Sequence, residues 1–383
     1  MTVTLTGLAT IVPPTVLHQD EVRDVFAAQE GLTRLGQRLV RTSFGVSGIE
    51  RRHTVLTELG DRSSDSGDER VFYDPQTGEL KSPGTKVRNE IYAEEAGRLY
   101  VELGRAALAR QEEFAAADVT HVITVSCTGF YAPGPDFVVA RDLGLPAGVQ
   151  RFHLGFMGCY ASLPALRLAE QLCRADPEAV VLVISVELCT LHLRTSNDPD
   201  TIIATSLFAD GGGAALVSAR PVGADEPGFE LDRFASRVAP DGEDDMAWRI
   251  GDHGFEMVLS NAVPAILGRH VTDAVRPLLA PDPELARALD ERTAGAVVPH
   301  WAVHPGGRSI LDKVETALEL SEAQLLPARA TLRDFGNMSS ATVLFVLRHI
   351  LDSPAAASGD RVIAMAFGPG ITVESALLTI RGT

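Results

Sequence analysis

Hydrophobic positions change period several times along the chain, and each change marks an element. Val3, Leu5 and Leu8 alternate with polar neighbours over residues 2–11 and predict a strand that Pro13-Pro14 ends. From Asp20 to Leu39 apolar residues fall at helical spacing, at Val22, Val25, Phe26, Leu32, Leu35 and Leu39. Residues 60–86 are polar, rich in Gly, Ser, Asp and Pro, and read as a long surface loop. A helix follows from Asn89 to Arg110, with Tyr92, Ala96, Leu99, Leu103 and Ala107 on one face. His121 to Cys127 is β-branched and predicts a buried strand. Pro135 to Leu143 reads as a short helix and Arg151 to Phe156 as a short extended segment. Leu163, Leu166, Ala169 and Leu172 give a helix from Tyr160 to Arg174. Ala179 to Val186 is a second buried strand, and Phe208 to Gly213 a glycine turn leading into a strand from Ala214 to Ser218.

The same order then returns. Met257 to Leu279 predicts a helix bent at Pro264, Ala296 to His304 a strand, and Ile310 to Leu320 a helix. Phe335 to Ser340 opens a helix that runs to Leu351. Arg361 to Phe367 and Ile371 to Ile380 are strands joined by the turn Gly368-Pro369-Gly370. Three segments match at a spacing of about 180 residues. They are the strand ends at Cys127 and His304, the helix starts Gly158-Cys159 and Gly336-Asn337, and the strands at Val181 and Val362. The chain therefore reads as α/β, in two duplicated halves, 1–225 and 226–383, related by a pseudo-two-fold axis. Such packing lets one pocket collect Cys159, His304 and Asn337, although duplicated halves can pack in other ways.

Composition narrows the function. Of 383 residues, 45% are hydrophobic and 22% charged, as in an ordinary globular protein. A net charge of -17 opposes loose binding to nucleic acid or anionic membranes. No apolar run approaches the roughly 20 residues a membrane helix needs. Cys127, Cys159, Cys173 and Cys189 form no CxxC pair, which argues against a disulfide framework or a structural zinc site. A reduced, cytoplasmic, soluble protein is expected. Arg34, Arg38, Arg41, Arg51 and Arg52 make one stretch basic: a solvated face, or a rim for phosphate.

Cys159 stands where an extended segment becomes a helix. Free backbone N–H groups and the helix dipole there are expected to lower its pKa and favour the nucleophilic thiolate. Free cysteine is equally a small buried apolar residue, so its partners decide the matter. His304 as a cation would stabilise the thiolate. His304 and Asn337 together would donate hydrogen bonds to a thioester enolate. Taken singly, His304 suits a core histidine and Asn337 a helix cap. A papain-like cysteine hydrolase has the same Cys, His, Asn order, but its local signature is absent around Cys159. A non-catalytic protein that merely keeps the fold is a third reading.

The residues resemble a known family. Gly158-Cys159, Trp301-Ala302-Val303-His304-Pro305-Gly306-Gly307, Gly336-Asn337-Met338-Ser339-Ser340-Ala341-Thr342 and Phe367-Gly368-Pro369-Gly370-Ile371-Thr372-Val373-Glu374 are similar to the motifs of bacterial type III polyketide synthases of the chalcone-synthase superfamily. The resemblance covers nearly the whole chain. It implies a thiolase-like fold of two αβαβα halves, a homodimer, and catalysis by Cys159, His304 and Asn337 without metal or other cofactor. It implies acyl-CoA and malonyl-CoA as substrates, condensed iteratively and cyclised to an alkylpyrone, alkylresorcinol or small phenol. The ketoacyl-carrier-protein synthase that condenses once is the nearest alternative.

Phe208 matches a family phenylalanine beside the decarboxylation site. Cys127, Cys189, His192, Trp248 and Met257 match pocket positions but depart from the plant residues there. Met257 and the cysteines favour an aliphatic starter. Trp248, where plant enzymes have glycine, is expected to fill space. The family's lysine-rich CoA site is not matched residue for residue, and Arg38, Arg41 and Arg308 are the substitutes.

Overall fold

The computed structural model describes residues 1–60 and 70–383. Residues 61–69, part of the expected surface loop, thus lie outside the description; the remainder of that loop carries the short hairpin Tyr73–Asp74 and Glu79–Leu80. Nine strands form one sheet: β1 Thr4–Ile11, β2 His121–Ser126, β3 Gln150–Gly155, β4 Val180–Leu188, β5 Asp210–Ser218, β6 Gly228–Val238, β7 His300–Val303, β8 Arg361–Gly368 and β9 Thr372–Arg381. Their order is β7-β8-β9-β6-β1-β5-β4-β2-β3.

That order is a palindrome about the antiparallel β1/β6 pair, where Leu5 faces Phe229. Outward from β1 come β5 and β4, antiparallel, then β2 parallel to β4. Outward from β6 come β9 and β8, antiparallel, then β7 parallel to β8. Among the described residues only the first half carries a further strand, β3.

The principal helices are α1 Gln19–Ala27, α2 Arg34–Val46, α3 Thr85–Ala109, α4 Ser162–Ala175, α5 Pro199–Leu207, α6 Val263–Leu279, α7 Arg308–Leu318, α8 Glu322–Phe335 and α9 Thr342–Leu351. Helix α3 covers the β1, β4 and β5 face, and α6 the β6 and β9 face. Helices α4 and α9 lie between the halves and touch strands of both. This makes five layers, αβαβα, a thiolase-like arrangement. The central position explains why α9 is apolar almost all round: Val343, Leu344, Val346 and Leu347 are buried. Each such side chain stabilises the fold by about 1.5–3 kcal/mol relative to exposure. The matched helix starts also meet, since Ser162 Oγ donates to the Ser340 carbonyl at 2.6 Å.

Several expectations need correction. The helix expected from Asp20 to Leu39 is two, α1 and α2, because Thr33 caps a new start by accepting from Gly36 N–H at 3.0 Å. Gly211, Gly212 and Gly213 are not a turn but lie within β5. A Cβ on Gly212 would meet Leu103 at 2.5 Å, and one on Gly213 would meet Leu344 at 2.9 Å. Glycine is there for close packing of α3 and α9 on the sheet. Met257 is not helical; it sits on the strand Gly254–Leu259, paired with the strand Met246–Gly251. Pro264 opens α6 rather than bending it, a first-turn position that needs no N–H. Helix α8 was not expected, although Ser321 and Gln324 form its capping box. Cys127 and His304 each follow the last residue of a strand, β2 and β7, as the repeat implies.

Candidate active site

Four chain segments converge around Cys159. A tight turn, closed by Ala161 N–H to the Gly158 carbonyl at 3.0 Å, carries the cysteine just ahead of α4. Gly158 has φ 91°, in the left-handed region, and its bare Cα abuts Pro369 from the β8–β9 turn. The segment between α8 and α9 brings Asn337 and Ser339. The end of β7 brings His304.

Asn337 is held at both ends. Its N–H donates to the Leu207 carbonyl and its carbonyl accepts from Ala209 N–H, each at 2.9 Å. Its side-chain oxygen accepts from Ser339 N–H at 2.9 Å. That leaves the amide NH2 directed at the Gly306 carbonyl, 3.3 Å away. This long contact uses one N–H and leaves the other free to donate. His304 packs on the same glycine: a Cβ built on Gly306 would lie 3.7 Å from His304 Nε2. His304 is 1% exposed, yet neither ring nitrogen has a hydrogen-bond partner. A buried, unsatisfied donor–acceptor pair costs stability, and such groups concentrate where chemistry needs them.

Burial governs the electrostatics. It pushes the Cys159 thiol up to about 12, against hydrogen bonds from Ser339, its own N–H and Asn337 that favour the thiolate; the buried Glu187 adds to the rise. The expected depression of this pKa is therefore reversed, because Cys159 precedes the helix and lies in a dry chamber. Burial likewise lowers His304 to about 3, so its imidazole is neutral at physiological pH rather than a cation.

A cavity of about 20 Å³ at Cys159 is lined by Cys127, Thr128, Gly158, Cys189, Phe208, Trp248, Met257, Ser339 and Pro369. It is scarcely larger than one water needs. A second cavity, about 30 Å³, shares Cys189, Phe208, Trp248 and Met257 with the first and adds His192 and Phe255. Every pocket residue expected from sequence thus lines one or both. Trp248 and Met257 face each other across the hairpin, and Trp248 Nε1 donates to the Cys127 carbonyl at 2.7 Å. The indole lines both cavities, together with Cys189, Phe208 and Met257. His192 is locked: Nε2 lies 2.8 Å from the Thr128 carbonyl, Nδ1 accepts from Phe255 N–H at 2.9 Å, and burial lowers its pKa to about 3. It is a wall and not an acid.

Sequence reasoning missed three supports. Ser339 Oγ lies 3.2 Å from Cys127 Sγ, and its hydroxyl also favours the Cys159 thiolate. Its φ of 47°, rare for a non-glycine residue, is held by the segment around it. Glu187 is fully buried and accepts from Cys127 N–H at 2.9 Å and Thr128 Oγ1 at 2.9 Å. Arg52, also fully buried, donates to the Thr205 and Phe208 carbonyls at 2.8 and 2.7 Å and so fixes Phe208 from behind. A charged residue inside a buried run was the available signal for Glu187.

Outside the chamber is a groove of about 600 Å³, bordered by Leu39, Thr42 and Val46 of α2, by Ser206 and Leu207, and by Gly307, Arg308 and Asp312. Leu207 and Phe208 separate groove from chamber. Of the three arginines expected to hold CoA, only Arg308 lines this groove. Arg38 is exposed on the flank of α2, and Arg41 turns the other way, 4.0 Å from Asp24. Among the described residues no helix is long and apolar enough to cross a membrane.

The bisdemethoxycurcumin synthase of Oryza sativa subsp. japonica is 32% identical over 387 aligned positions, covering 97% of this chain and 91% of the relative. The C-terminal type III polyketide synthase domain of Steely1, a type I/III hybrid from Dictyostelium, superposes with a TM-score of 0.86 at 27% identity, covering 99% of both chains. PKS-I from the brown alga Ectocarpus siliculosus gives 0.87 at 27% identity, over 99% of this chain and 98% of that one. Residues 2–221 match the N-terminal domain, and residues 230–381 the C-terminal domain, of the chalcone and stilbene synthases. The chain accordingly belongs to the chalcone and stilbene synthase family, the acyl-transferring condensing enzymes known as type III polyketide synthases.

Proposed function

We propose that this enzyme loads a short aliphatic acyl group on Cys159, extends it repeatedly with malonyl-CoA, and closes the chain to an alkylpyrone, alkylresorcinol or small phenol. The observation that carries the reading is Asn337, whose amide shares Gly306 with the unpartnered His304 and whose side chain favours the Cys159 thiolate. In loading, Cys159 sulfur bonds the acyl carbon, the proton passes to His304, and the old thioester bond breaks. The departing thiolate then recovers the proton. Malonyl-CoA next loses CO2, and the bond's electrons become an enolate whose oxygen accepts hydrogen bonds from His304 and Asn337 Nδ2. The enolate carbon attacks the Cys159 thioester and the sulfur leaves. The lengthened chain returns to Cys159 for the next round.

Cys127, Cys189 and Met257 give the chamber a flexible apolar lining, which supports an aliphatic starter; its tightness supports a short one. Cys127 at a position where plant enzymes carry threonine is the feature that supports a bacterial affinity. Malonyl-CoA incubated with acyl-CoA thioesters of increasing chain length, read by product mass, tests the reading. Products should contain the short starters and fall off with length. Products built from malonyl-CoA alone would overturn it.

The neutral state of His304 has a pH consequence. In a Cys159→Ala enzyme, malonyl-CoA decarboxylation should be flat between about pH 5.5 and 8, because the imidazole protonates only near 3. An inflection near pH 6.5 would show the imidazole titrating as an ordinary histidine.

The reading includes a homodimer. Strand β3 is an open sheet edge, exposed along most of its length, and Phe130, Phe137 and Phe152 are exposed beside it at 40%, 40% and 36%. An open edge with aromatic neighbours demands a cover, and a second copy offers an identical edge to pair with. Sedimentation should give a dimer at micromolar concentration and Phe152→Arg should weaken it. A monomeric wild type would contradict this.

A further inference from the structure

We propose that Phe156, which lines neither cavity, is a positioning residue that limits the length of starter the chamber admits, by bracing the wall that carries Trp248 and Met257. The inference rests on the condensation reading above and names what selects its starter.

That wall is the hairpin of Met246–Gly251 and Gly254–Leu259, which joins no strand of the nine-stranded sheet. A two-stranded hairpin is marginal by itself, so its distance from Cys159 depends on what it packs against. Its tip is tied down: Thr85 N–H donates to the Asp252 carbonyl, and Gly254 N–H to Thr85 Oγ1, each at 2.9 Å. Nearer the chamber, Phe255 stacks on His192, with ring centroids 4.2 Å apart and planes 12° apart, and meets Trp248 edge-on at 5.8 Å. A movement of Phe255 therefore reaches the indole.

Phe156 holds Phe255 from outside. Its ring meets Phe255 edge-on at 5.7 Å, and Phe130 completes the cluster, 5.4 Å from Phe156 and 5.8 Å from Phe255. These are the separations of favourable aromatic pairs. Phe156 belongs to the Cys159 segment: it directly follows β3 and donates its N–H to the Ser126 carbonyl at 3.0 Å. The contact therefore ties the nucleophile's segment to the wall. The backbone shows that the ring is needed. Phe156 has φ 61°, in the left-handed region, where an aromatic residue is strained and glycine is not. Two positions on, Gly158 fills the same region. Glycine at 156 would relax the turn, yet the chain carries a large ring there and seats it on Phe255. Strain of this kind persists where the surrounding structure uses it. Without the ring Phe255 loses its outer support, while His192 stays fixed by the Thr128 carbonyl. The second cavity then widens on the hairpin side.

The test is a competition. Equimolar butyryl-CoA and octanoyl-CoA are supplied with malonyl-CoA, and the products are read by mass as an octanoyl-to-butyryl ratio. The ratio does not depend on how much of a variant is active. Phe156→Gly, which removes the ring and relaxes the backbone, should raise it at least about tenfold over wild type. Phe156→Tyr, which keeps the ring, should hold the wild-type ratio. An unchanged or lower ratio in Phe156→Gly, or a Phe156→Tyr enzyme that shifts as far as Phe156→Gly, would overturn the proposal. Should Phe156→Gly give no product, Phe130→Ala decides. That exposed ring supports the same pair, and its loss should raise the ratio at least about threefold. An unchanged or lower ratio there would equally overturn the proposal. Wild-type enzyme that incorporates neither starter would sink the condensation reading and this inference with it, an outcome told apart because it needs no variant.

Discussion

His304→Ala should lower malonyl-CoA decarboxylation and condensation together, each by about 10²- to 10³-fold, the usual cost of one oxyanion donor. The imidazole is buried with both nitrogens unpartnered, so nothing in the fold needs its hydrogen bonds. Removing it should leave folding intact and strip a donor from the enolate. Asn337→Ala should act on the same step, with an added cost in stability, because the side-chain oxygen accepts from Ser339 N–H. Cys159→Ala should part the two activities: condensation is lost, since no sulfur holds the chain, while decarboxylation persists. Release of CO2 and product formation, measured side by side for the three variants, check this. A His304→Ala enzyme that decarboxylates at the wild-type rate would remove the imidazole from the mechanism.

Trp248→Gly should lengthen the product by at least one ketide unit and admit longer starters. The indole lines both cavities and is tied across them to the Cys127 carbonyl. An aromatic of this size fills roughly 150–250 Å² of buried surface, and the cavities it divides hold only about 20 and 30 Å³. Its loss joins them. His192 remains fixed by Thr128 and Phe255, so the enlarged chamber keeps its far wall. Product mass across a starter series is the readout. An unchanged product spectrum in a folded variant would mean that the chain grows in another direction. Stability should fall by less than the about 3–5 kcal/mol of a large-to-small change in a core, because Trp248 is only half-buried.

The sequence revealed the duplicated order because buried strands such as His121–Ser126 and Arg361–Gly368 advertise themselves by composition. It offered Cys159, His304 and Asn337 as candidates because few residue types do covalent and oxyanion chemistry. What it hid depends on partners far along the chain. Gly211 to Gly213 looked like a turn because the crowding by Leu103 and Leu344 that excludes side chains is tertiary. Met257 looked helical because its strand exists only through pairing with Met246–Gly251. The direction of the Cys159 pKa was misread because helix-end N–H groups are local and visible, whereas the dryness of a chamber is not. Arg41 was placed at the groove because spacing gives a helix face but not its neighbour; α1 claims it through Asp24.

Peptide mapping after brief exposure to a short acyl thioester addresses the core of the mechanism. Cys127 and Cys189 line the same chamber as Cys159, so all three sulfurs are within a substrate's reach. Of the three thiols only that of Cys159 has Asn337 favouring its thiolate, and burial pushes the other two further toward the unreactive thiol. The acyl mass should appear only on the peptide containing Cys159. An acyl group found on Cys127 or Cys189 instead, with the sulfur of 159 left free, would contradict the account.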